Sequence, residues 1–300
     1  MNDAYLAIVN RSAGGGRCGK LIAPVMDRLR ASGLAIDVAE TSGPGDATRI
    51  AREAYVAGRR RFIAVGGDGT SCEILNGLFP QAEDAECPTL GFLPLGTGNS
   101  FLRDFTTEGL KSTTDALLAG RTRACDVLRM KHREGTIYYI NLLSVGFAAD
   151  VAVLRHRRFK GLGEVGYLLA VFVTLVELKR RAFPLRVDGK GEFDRRPCLF
   201  LSFNNSKFTG GKMMIAPQAR TDDGLVEYVR WGPIGRLGLI RNLHTLYDGT
   251  HIHHPMAERQ GVRRIEFDLD APIDVMVDGE VMSLHCEALD VLPGALNVVI

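Results

Sequence analysis

Apolar and polar positions follow two different rhythms along the 300-residue chain. In the first third, short apolar runs at Tyr5–Val9, Ala35–Glu40, Arg61–Val65 and Leu90–Leu93 read as strands. Between them lie segments of helical spacing. Lys20–Arg30 carries Leu21, Val25, Met26 and Leu29 on one side, Asp46–Ala57 reads as a helix capped near Asp46, and a third helix is expected over Ser71–Gly77. Strands that alternate with helices predict parallel βαβ units, with ligands at the carboxyl ends of the strands.

After about Asp126 the rhythm changes. Thr136–Asn141, Leu185–Val187, Cys198–Phe203, Leu225–Arg230, Arg264–Leu269 and Ile273–Val277 are short, β-rich and separated by Gly, Pro or Asp, the pattern of an antiparallel sandwich or barrel. Helices are expected to interrupt it at Glu164–Arg181 and Ile234–Thr245. The chain therefore reads as two domains joined near Ala124. An α/β N-terminal nucleotide-binding domain occupies 1–124, a β-rich C-terminal sandwich domain occupies 125–300, and the tail from about 290 is free to rejoin the first.

Composition narrows the function classes. Lys+Arg 37 against Asp+Glu 35 gives a net charge of +2, so the chain is not a basic protein bound along nucleic acid. A mean hydropathy of +0.02 fits neither a polytopic membrane protein nor a disordered chain. The longest apolar stretch, Val165–Val176, falls short of the about 20 residues that span a bilayer. Met1-Asn2-Asp3 leads into a strand, with no basic signal-peptide region. The six cysteines (Cys18, Cys72, Cys87, Cys125, Cys198, Cys286) form no C-x-x-C pair and read as reduced thiols of a cytoplasmic protein.

Three glycine-rich loops follow three strands. Gly66-Gly67-Asp68-Gly69-Thr70 comes directly after a buried strand and before a helix. Its backbone can approach a ligand closely, its N–H groups suit phosphate, and Asp68 adds a carboxylate for a metal or a polar group. It is neither a Walker loop nor G-x-G-x-x-G. Leu93-Pro94-Leu95-Gly96-Thr97-Gly98-Asn99 and Asn10-Arg11-Ser12-Ala13-Gly14-Gly15-Gly16 repeat the logic. Asp278-Gly279-Glu280 after the strand 273–277 reads either as a hairpin turn or as a site carboxylate. Asp222-Asp223-Gly224 reads either as a turn or as an oxygen site for a cation. His251-Ile252-His253-His254 beside Pro255 reads as a polar loop rather than a metal site.

The ordered set of these segments resembles the diacylglycerol kinase-like lipid kinases, a group that includes bacterial diacylglycerol kinases and sphingosine and ceramide kinases. The resemblance covers nearly the whole chain. It includes the Asn10 loop, Gly66–Thr70, Pro94–Asn99, Asn141 with Ser144-Val145-Gly146-Phe147, Gly210-Gly211, Ala216-Pro217, Asp223-Gly224-Leu225 and Asp278-Gly279-Glu280. It implies a Rossmann-like first domain of the phosphofructokinase and NAD-kinase type. It also implies ATP-dependent phosphoryl transfer to a lipid hydroxyl, with Mg²⁺, in a cleft between the domains. On this resemblance Asn10, Arg11, Ser12, Ala13, Gly14, Thr41, Gly66, Gly67, Gly69, Thr70 and Thr97 surround the nucleotide. Glu280 is the general base, Asp68 stands beside the phosphates, and Asp223 with backbone oxygens of Arg220 and Leu225 holds an auxiliary Mg²⁺. Arg11 departs from the group's usual Pro and could add a charge facing phosphate.

The acceptor is expected to be a membrane lipid such as diacylglycerol, with a sphingoid base or ceramide as alternatives. Basic clusters at Arg155-His156-Arg157-Arg158-Phe159-Lys160 and Lys179-Arg180-Arg181 flank the apolar segment Gly166–Leu178. That segment reads as a core helix or as the wall of an acyl-chain pocket. Such clusters suit peripheral docking on an anionic bilayer at about 1 kcal/mol per well-placed charge, and a homodimer stays open. Two further readings share part of the pattern: a soluble-substrate kinase of the NAD kinase type, and a non-catalytic lipid- or nucleotide-binding protein.

Overall fold

The computed structural model describes residues 4–106, 108–159, 163–210 and 212–300. Lys160 of the basic cluster, Gly211 of the glycine pair and the leading Met1-Asn2-Asp3 lie outside the described residues, as do the side chains of Tyr167 and Leu168. The chain forms two compact units. One runs up to Val127 and adds Tyr138–Ile140 and Leu292–Ile300; the other comprises Leu128–Ile137 and Asn141–Val291.

The first unit is built from β1 (Tyr5–Val9), α1 (Arg17–Ala31), β2 (Ile36–Glu40), α2 (Asp46–Val56), β3 (Arg61–Gly66), α3 (Asp68–Leu78), β4 (Thr89–Pro94) and α4 (Leu110–Ala119). The strands pair in parallel in the order β2-β1-β3-β4, and Asn297 and Val298 near the C-terminus extend the sheet parallel to β4. Alternation along β1 explains the layers. Leu6 and Ile8 point into a cluster with Ala47, Ala51, Ile74 and Leu75 of α2 and α3. Tyr5, Ala7 and Val9 point to the opposite cluster, with Cys18, Ile22, Met26 and Leu117 of α1 and α4. Both faces of the parallel sheet are thus covered, so its strands read as unbroken apolar runs.

The sequence spacing places two helix starts three residues late, α1 at Lys20 where it begins at Arg17 and α3 at Ser71, whereas α2 begins at Asp46 as expected. The third helix begins at Asp68, three residues before the expected Ser71, so Asp68-Gly69-Thr70 form its first turn. Gly45, at φ 82°, precedes α2 as its cap. Asp46 instead sits in the first turn, where it accepts the Ser42 N–H at 2.8 Å. Hydrogen bonding to Ser42 is the largest influence holding the Asp46 carboxyl down to about 2.

The second unit is β-rich. β5 (Thr122–His132) and β6 (Gly135–Tyr139) each have residues in both units, and β7 (Leu142–Gly146) lies wholly in the second. α5 (Phe147–Leu154), a wide helical turn at Arg155–Phe159 and α6 (Gly163–Val176) follow. Next come β8 (Leu185–Val187), β9 (Lys190–Asp194), β10 (Phe200–Asn204), β11 (Phe208–Thr209), β12 (Met213–Met214), β13 (Val226–Trp231), α7 (Arg236–Asn242) and α8 (Thr245–Asp248). β14 (Ala257–Val262), β15 (Arg264–Phe267), β16 (Ile273–Val277), β17 (Glu280–Leu284) and β18 (Cys286–Val299) complete the chain. One antiparallel sheet has the order β14-β13-β10-β7-β16-β17, and the first part of β18 pairs with β15, which continues to β8 and β9. The sheets meet face to face where Phe203 of β10 meets Phe267 of β15 edge-on at 5.5 Å.

Three segments of this unit differ from the sequence reading. The helix expected over Glu164–Arg181 ends at Val176, because the Arg236 guanidinium takes the carbonyls of Leu175 and Val176 at 2.7–3.2 Å and closes the helix end. The helix expected over Ile234–Thr245 starts only after Gly235, whose backbone is extended (φ −85°, ψ 171°), and divides into α7 and α8. His251 is a core residue rather than part of a polar loop. It is 1% exposed, packs against Trp231 at 5.6 Å, and its two ring nitrogens face the carbonyls of Thr245 and Ile215. Burial pushes its pKa below the usual histidine value.

Candidate active site

Parallel pairing brings the carboxyl ends of β1, β2, β3 and β4 to one edge of the first unit, and the loops that leave them are fastened to each other. Asn10 N–H donates to Val65 O at 3.0 Å, and its side-chain amide reaches the Thr70 hydroxyl at 3.4 Å. Thr41, at the end of β2, donates its backbone N–H to Val9 O at 3.0 Å. Gly96 N–H donates to Gly66 O at 2.7 Å, and Asp68 N–H to Gly98 O at 3.0 Å. Asn10 Oδ1 accepts the Ser12 N–H at 3.1 Å, which folds the first loop back on itself.

Backbone lies directly on backbone at two of these crossings. A Cβ on Gly96 would stand 2.7 Å from both Cα and N of Gly67, and one on Gly14 (φ 63°) would stand 3.0 Å from Leu95 O. The glycines are therefore required for the loops to meet as well as for any approach of a ligand. Thr97 stands exposed between Gly96 and Gly98, and Ser12 is exposed on the first loop.

Asp68 is the acidic group among these loops. It lines a small recess, about 10 Å³ in volume, with Gly66, Gly67, Ser71, Asn99 and Phe101. Its Oδ2 accepts the Ser100 N–H at 3.1 Å. Desolvation pushes the carboxyl up to about 6, and hydrogen bonding from Ser100 holds it from rising further. Ser100 was not singled out by the sequence reading; the only signal for it is its place directly after Gly98-Asn99.

Arg11 is engaged by a carboxylate of the neighbouring strand. Its Nε and Nη2 donate to the two Glu40 carboxylate oxygens at 2.7 and 2.5 Å, across the ends of β1 and β2. The hydrogen bond holds the Glu40 carboxyl below its ordinary range and raises Arg11. The partner lies 29 residues away, so the spacing of the loop alone could not reveal it.

In the second unit, Asp278-Gly279 forms the two-residue turn between β16 and β17, and Glu280, exposed, is the first residue after it, in register with Val277. Both turn residues have positive φ, 47° and 89°, the geometry of a type I′ hairpin. Asp278 is itself buried, and its Oδ1 accepts the N–H groups of Asn141 and Leu142 at 3.1 and 3.0 Å. Asn141 in turn accepts the Asn205 N–H on its backbone oxygen at 2.8 Å and the Ser206 hydroxyl on its Oδ1. A buried polar network thus holds the turn that carries Glu280; Asn205 and Ser206 escaped the sequence reading.

Asp223 lies in an exposed turn, where its Oδ1 accepts the Leu225 N–H at 3.1 Å and Gly224 takes φ 69°. Arg220 reaches Asp222 instead, at 3.5 Å. One carboxylate beside peptide carbonyls is a donor set of the hard-cation kind, and Asp223 keeps its second oxygen clear of that turn bond.

A doubly wound parallel sheet with stitched glycine loops at its carboxyl edge, in one chain with an antiparallel sandwich, defines a kinase of the two-unit type. The diacylglycerol kinase catalytic domain matches residues 4–130, and the YegS C-terminal NAD kinase beta sandwich-like domain matches residues 141–300. The lipid kinase YegS of Escherichia coli (strain K12) is 30% identical over 276 residues, covering 90% of this chain and 87% of that protein. A diacylglycerol kinase of Staphylococcus haemolyticus is 29% identical, covering 93% of this chain and 83% of that protein. Among solved structures, a diacylglycerol kinase from Bacillus anthracis str. Sterne superposes with a TM-score of 0.70 at 18% identity, covering 99% of this chain and 96% of that one. A second chain from the same organism reaches 0.79 at 20% identity, covering 99% and 95%. These structures establish the fold. The chain belongs to the diacylglycerol kinase-like lipid kinase family.

Proposed function

We propose that this protein transfers the γ-phosphoryl group of ATP to the hydroxyl of a membrane lipid, with diacylglycerol the first acceptor to try and a sphingoid base or ceramide next. The observation that carries the reading is the fastening of three glycine loops at one sheet edge around Asp68. That arrangement presents backbone N–H groups and a helix start to phosphate, with an acidic side chain alongside. Asn10 to Gly14, Thr41, Gly66, Gly67, Gly69, Thr70 and Thr97 hold the nucleotide in this reading. The Arg11 guanidinium acts through Glu40, as a brace between the ends of β1 and β2.

In the transfer the acceptor oxygen attacks the γ-phosphorus while the bond to the β,γ-bridging oxygen breaks and ADP leaves. The hydroxyl proton passes to the Glu280 carboxylate. The buried Asp278 network holds the turn from which Glu280 projects.

Asp68 suits a Mg²⁺ beside the phosphates: its carboxyl is raised to about 6 by desolvation, a cost that an adjacent cation would remove. Mg²⁺ there would neutralise charge on the phosphate oxygens. Asp223, with carbonyl oxygens of Arg220 and Leu225, would hold an auxiliary Mg²⁺ that braces the second unit.

The test is Glu280→Gln. General acid–base catalysis contributes about 10²–10⁴-fold, so turnover should fall by at least 100-fold while ATP binding, measured by titration calorimetry, stays within about threefold. Turnover near the parental rate would remove Glu280 from the base role.

A further inference from the structure

Backbone N–H groups cradle phosphate, but a transferring phosphoryl group also calls for a cation. Arg11, the cation of the first loop, is paired with Glu40. Arg17, which opens α1, is exposed to solvent. Arg103 is in a different situation. It is half-buried, yet its side chain has no hydrogen bond, ion pair or ring contact among the described residues. Other arginines that are buried or half-buried are partnered. Arg60 meets Glu86, Arg129 meets Asp290, Arg181 meets Asp150, Arg186 meets Glu266, and Arg230 donates to the carbonyls of Arg196 and Pro197. A guanidinium drawn partly out of water without a counter-group is unfavourable until an anion joins it.

The backbone sets the direction of this side chain. Phe101–Asp104 form one 3₁₀ turn after the third glycine loop, and Arg103 N–H donates to Ser100 O at 3.2 Å. Ser100 itself has helical angles, φ −69° and ψ −41°. Side chains three residues apart in such a turn eclipse each other, so Arg103 leaves it on the side of Ser100. That is the Asp68 side, because Ser100 gives Asp68 both its N–H, at 3.1 Å, and its side chain. The turn is anchored beneath. Phe101 packs on Phe92 at 5.6 Å and on Phe105 at 5.1 Å, and Leu102 O accepts the N–H groups of Phe105 and Thr106 at 3.0 and 2.9 Å. A fixed base thus carries one unpaired cation beside the acidic group of the site.

We infer that Arg103 contacts the γ-phosphoryl group of the bound nucleotide and is the catalytic cation of the transfer. The guanidinium stays protonated throughout. It donates N–H groups to the γ-phosphoryl oxygens while the bond to the bridging oxygen breaks, and it exchanges no proton. The inference rests on the kinase reading for the identity of the anion, and it adds a side chain that loop composition does not single out.

The experiment compares the parent with Arg103→Gln, Arg103→Lys and Arg103→Ala. Affinities for ADP and for β,γ-imido-ATP, both with Mg²⁺, are measured by titration calorimetry, and turnover is measured with ATP. In Arg103→Gln, imido-ATP should bind about tenfold more weakly or worse, while ADP stays within about threefold. Turnover should fall by about 100-fold or more, chiefly in kcat. Arg103→Lys keeps the charge without the planar fork and should recover part of the loss. Millimolar guanidinium ion should restore part of the turnover of Arg103→Ala, an effect that a purely structural role would not give. The ratio of the two affinities is read within each protein, so a general loss of folded protein does not mimic the result.

An unchanged ratio in Arg103→Gln, equal losses for ADP and imido-ATP, or parental turnover by this variant overturns the inference and leaves the kinase reading in place. A parent that binds neither nucleotide sinks both. Transfer to no lipid, with the affinity ratio altered as expected, would sink the lipid acceptor alone and leave Arg103 in its role.

Discussion

Asp68 concentrates the physical cost of the site in one side chain. Its folded-state pKa, about 6, lies above the ordinary 3.8 of an unfolded aspartate. A raised carboxyl favours the protonated folded state, so its contribution is fully present below pH 3.8 and is lost as pH rises through about 6. Asp68→Asn removes that loss while keeping an oxygen for the Ser100 N–H. The variant should therefore be more stable than the parent at pH 7.5 by about 2 kcal/mol, a figure discounted for the solvent that reaches the group. The difference should shrink towards zero near pH 4 in denaturant titrations. The same variant should lose most of its phosphoryl transfer. A gain in stability independent of pH would show that desolvation of the carboxylate is not the cause.

Arg11 teaches a related lesson at the same scale. A cation beside glycine-rich loops invites a phosphate role, and the structure pairs its Nε and Nη2 with Glu40. Residue type and spacing were legible there; the partner that redirects the side chain was not, because it comes from the next strand.

Among elements, the loops are held by close backbone approach rather than by side chains. A methyl group on Gly96 collides with Gly67, whereas Gly15, at φ 65°, has open space where a Cβ would go. Gly96→Ala should cost about 1–3 kcal/mol by overpacking and weaken ATP binding at least tenfold. Gly15→Ala should cost only the about 1–2 kcal/mol of left-handed backbone strain and change ATP binding far less. Equal losses of nucleotide affinity would mean that the loop crossing is not what shapes the site. The β16–β17 turn offers a second contrast. Asp278→Asn keeps an acceptor for Asn141 and Leu142 and a residue tolerant of positive φ. It should cost less than Asp278→Ala, which strands two buried N–H groups and should destabilise by about 2–3 kcal/mol in urea unfolding. Circular dichroism would follow both variants.

The strands and most helices of the first unit were readable because a parallel sheet buried on both faces leaves unbroken apolar runs between amphipathic helices. Element ends were harder to read. The end of α6 is set by Arg236, and the start of α3 by the backbone of Gly67, neither of which shows in local periodicity. The network of Asn141, Asn205, Ser206 and Asp278 was hidden for the same reason: its contacts join positions 64 to 137 residues apart. The exposed α6 stripe was hidden because an apolar helix with an exposed side and one buried in a core carry the same composition.

At the scale of the whole chain, family membership covers both units, with domain matches at 4–130 and 141–300. No helix among the described residues is long and apolar enough to cross a membrane. The second domain is described by its likeness to an NAD kinase sandwich, so NAD is the acceptor to run against lipids. The most direct measurement is transfer of label from γ-³²P-ATP, with Mg²⁺, to diacylglycerol, ceramide and sphingosine in mixed micelles and to NAD in parallel, with Glu280→Gln alongside. The account predicts a labelled lipid that is absent from the Glu280→Gln reaction. Label in NADP, or no labelled lipid from protein that binds ATP, would contradict it.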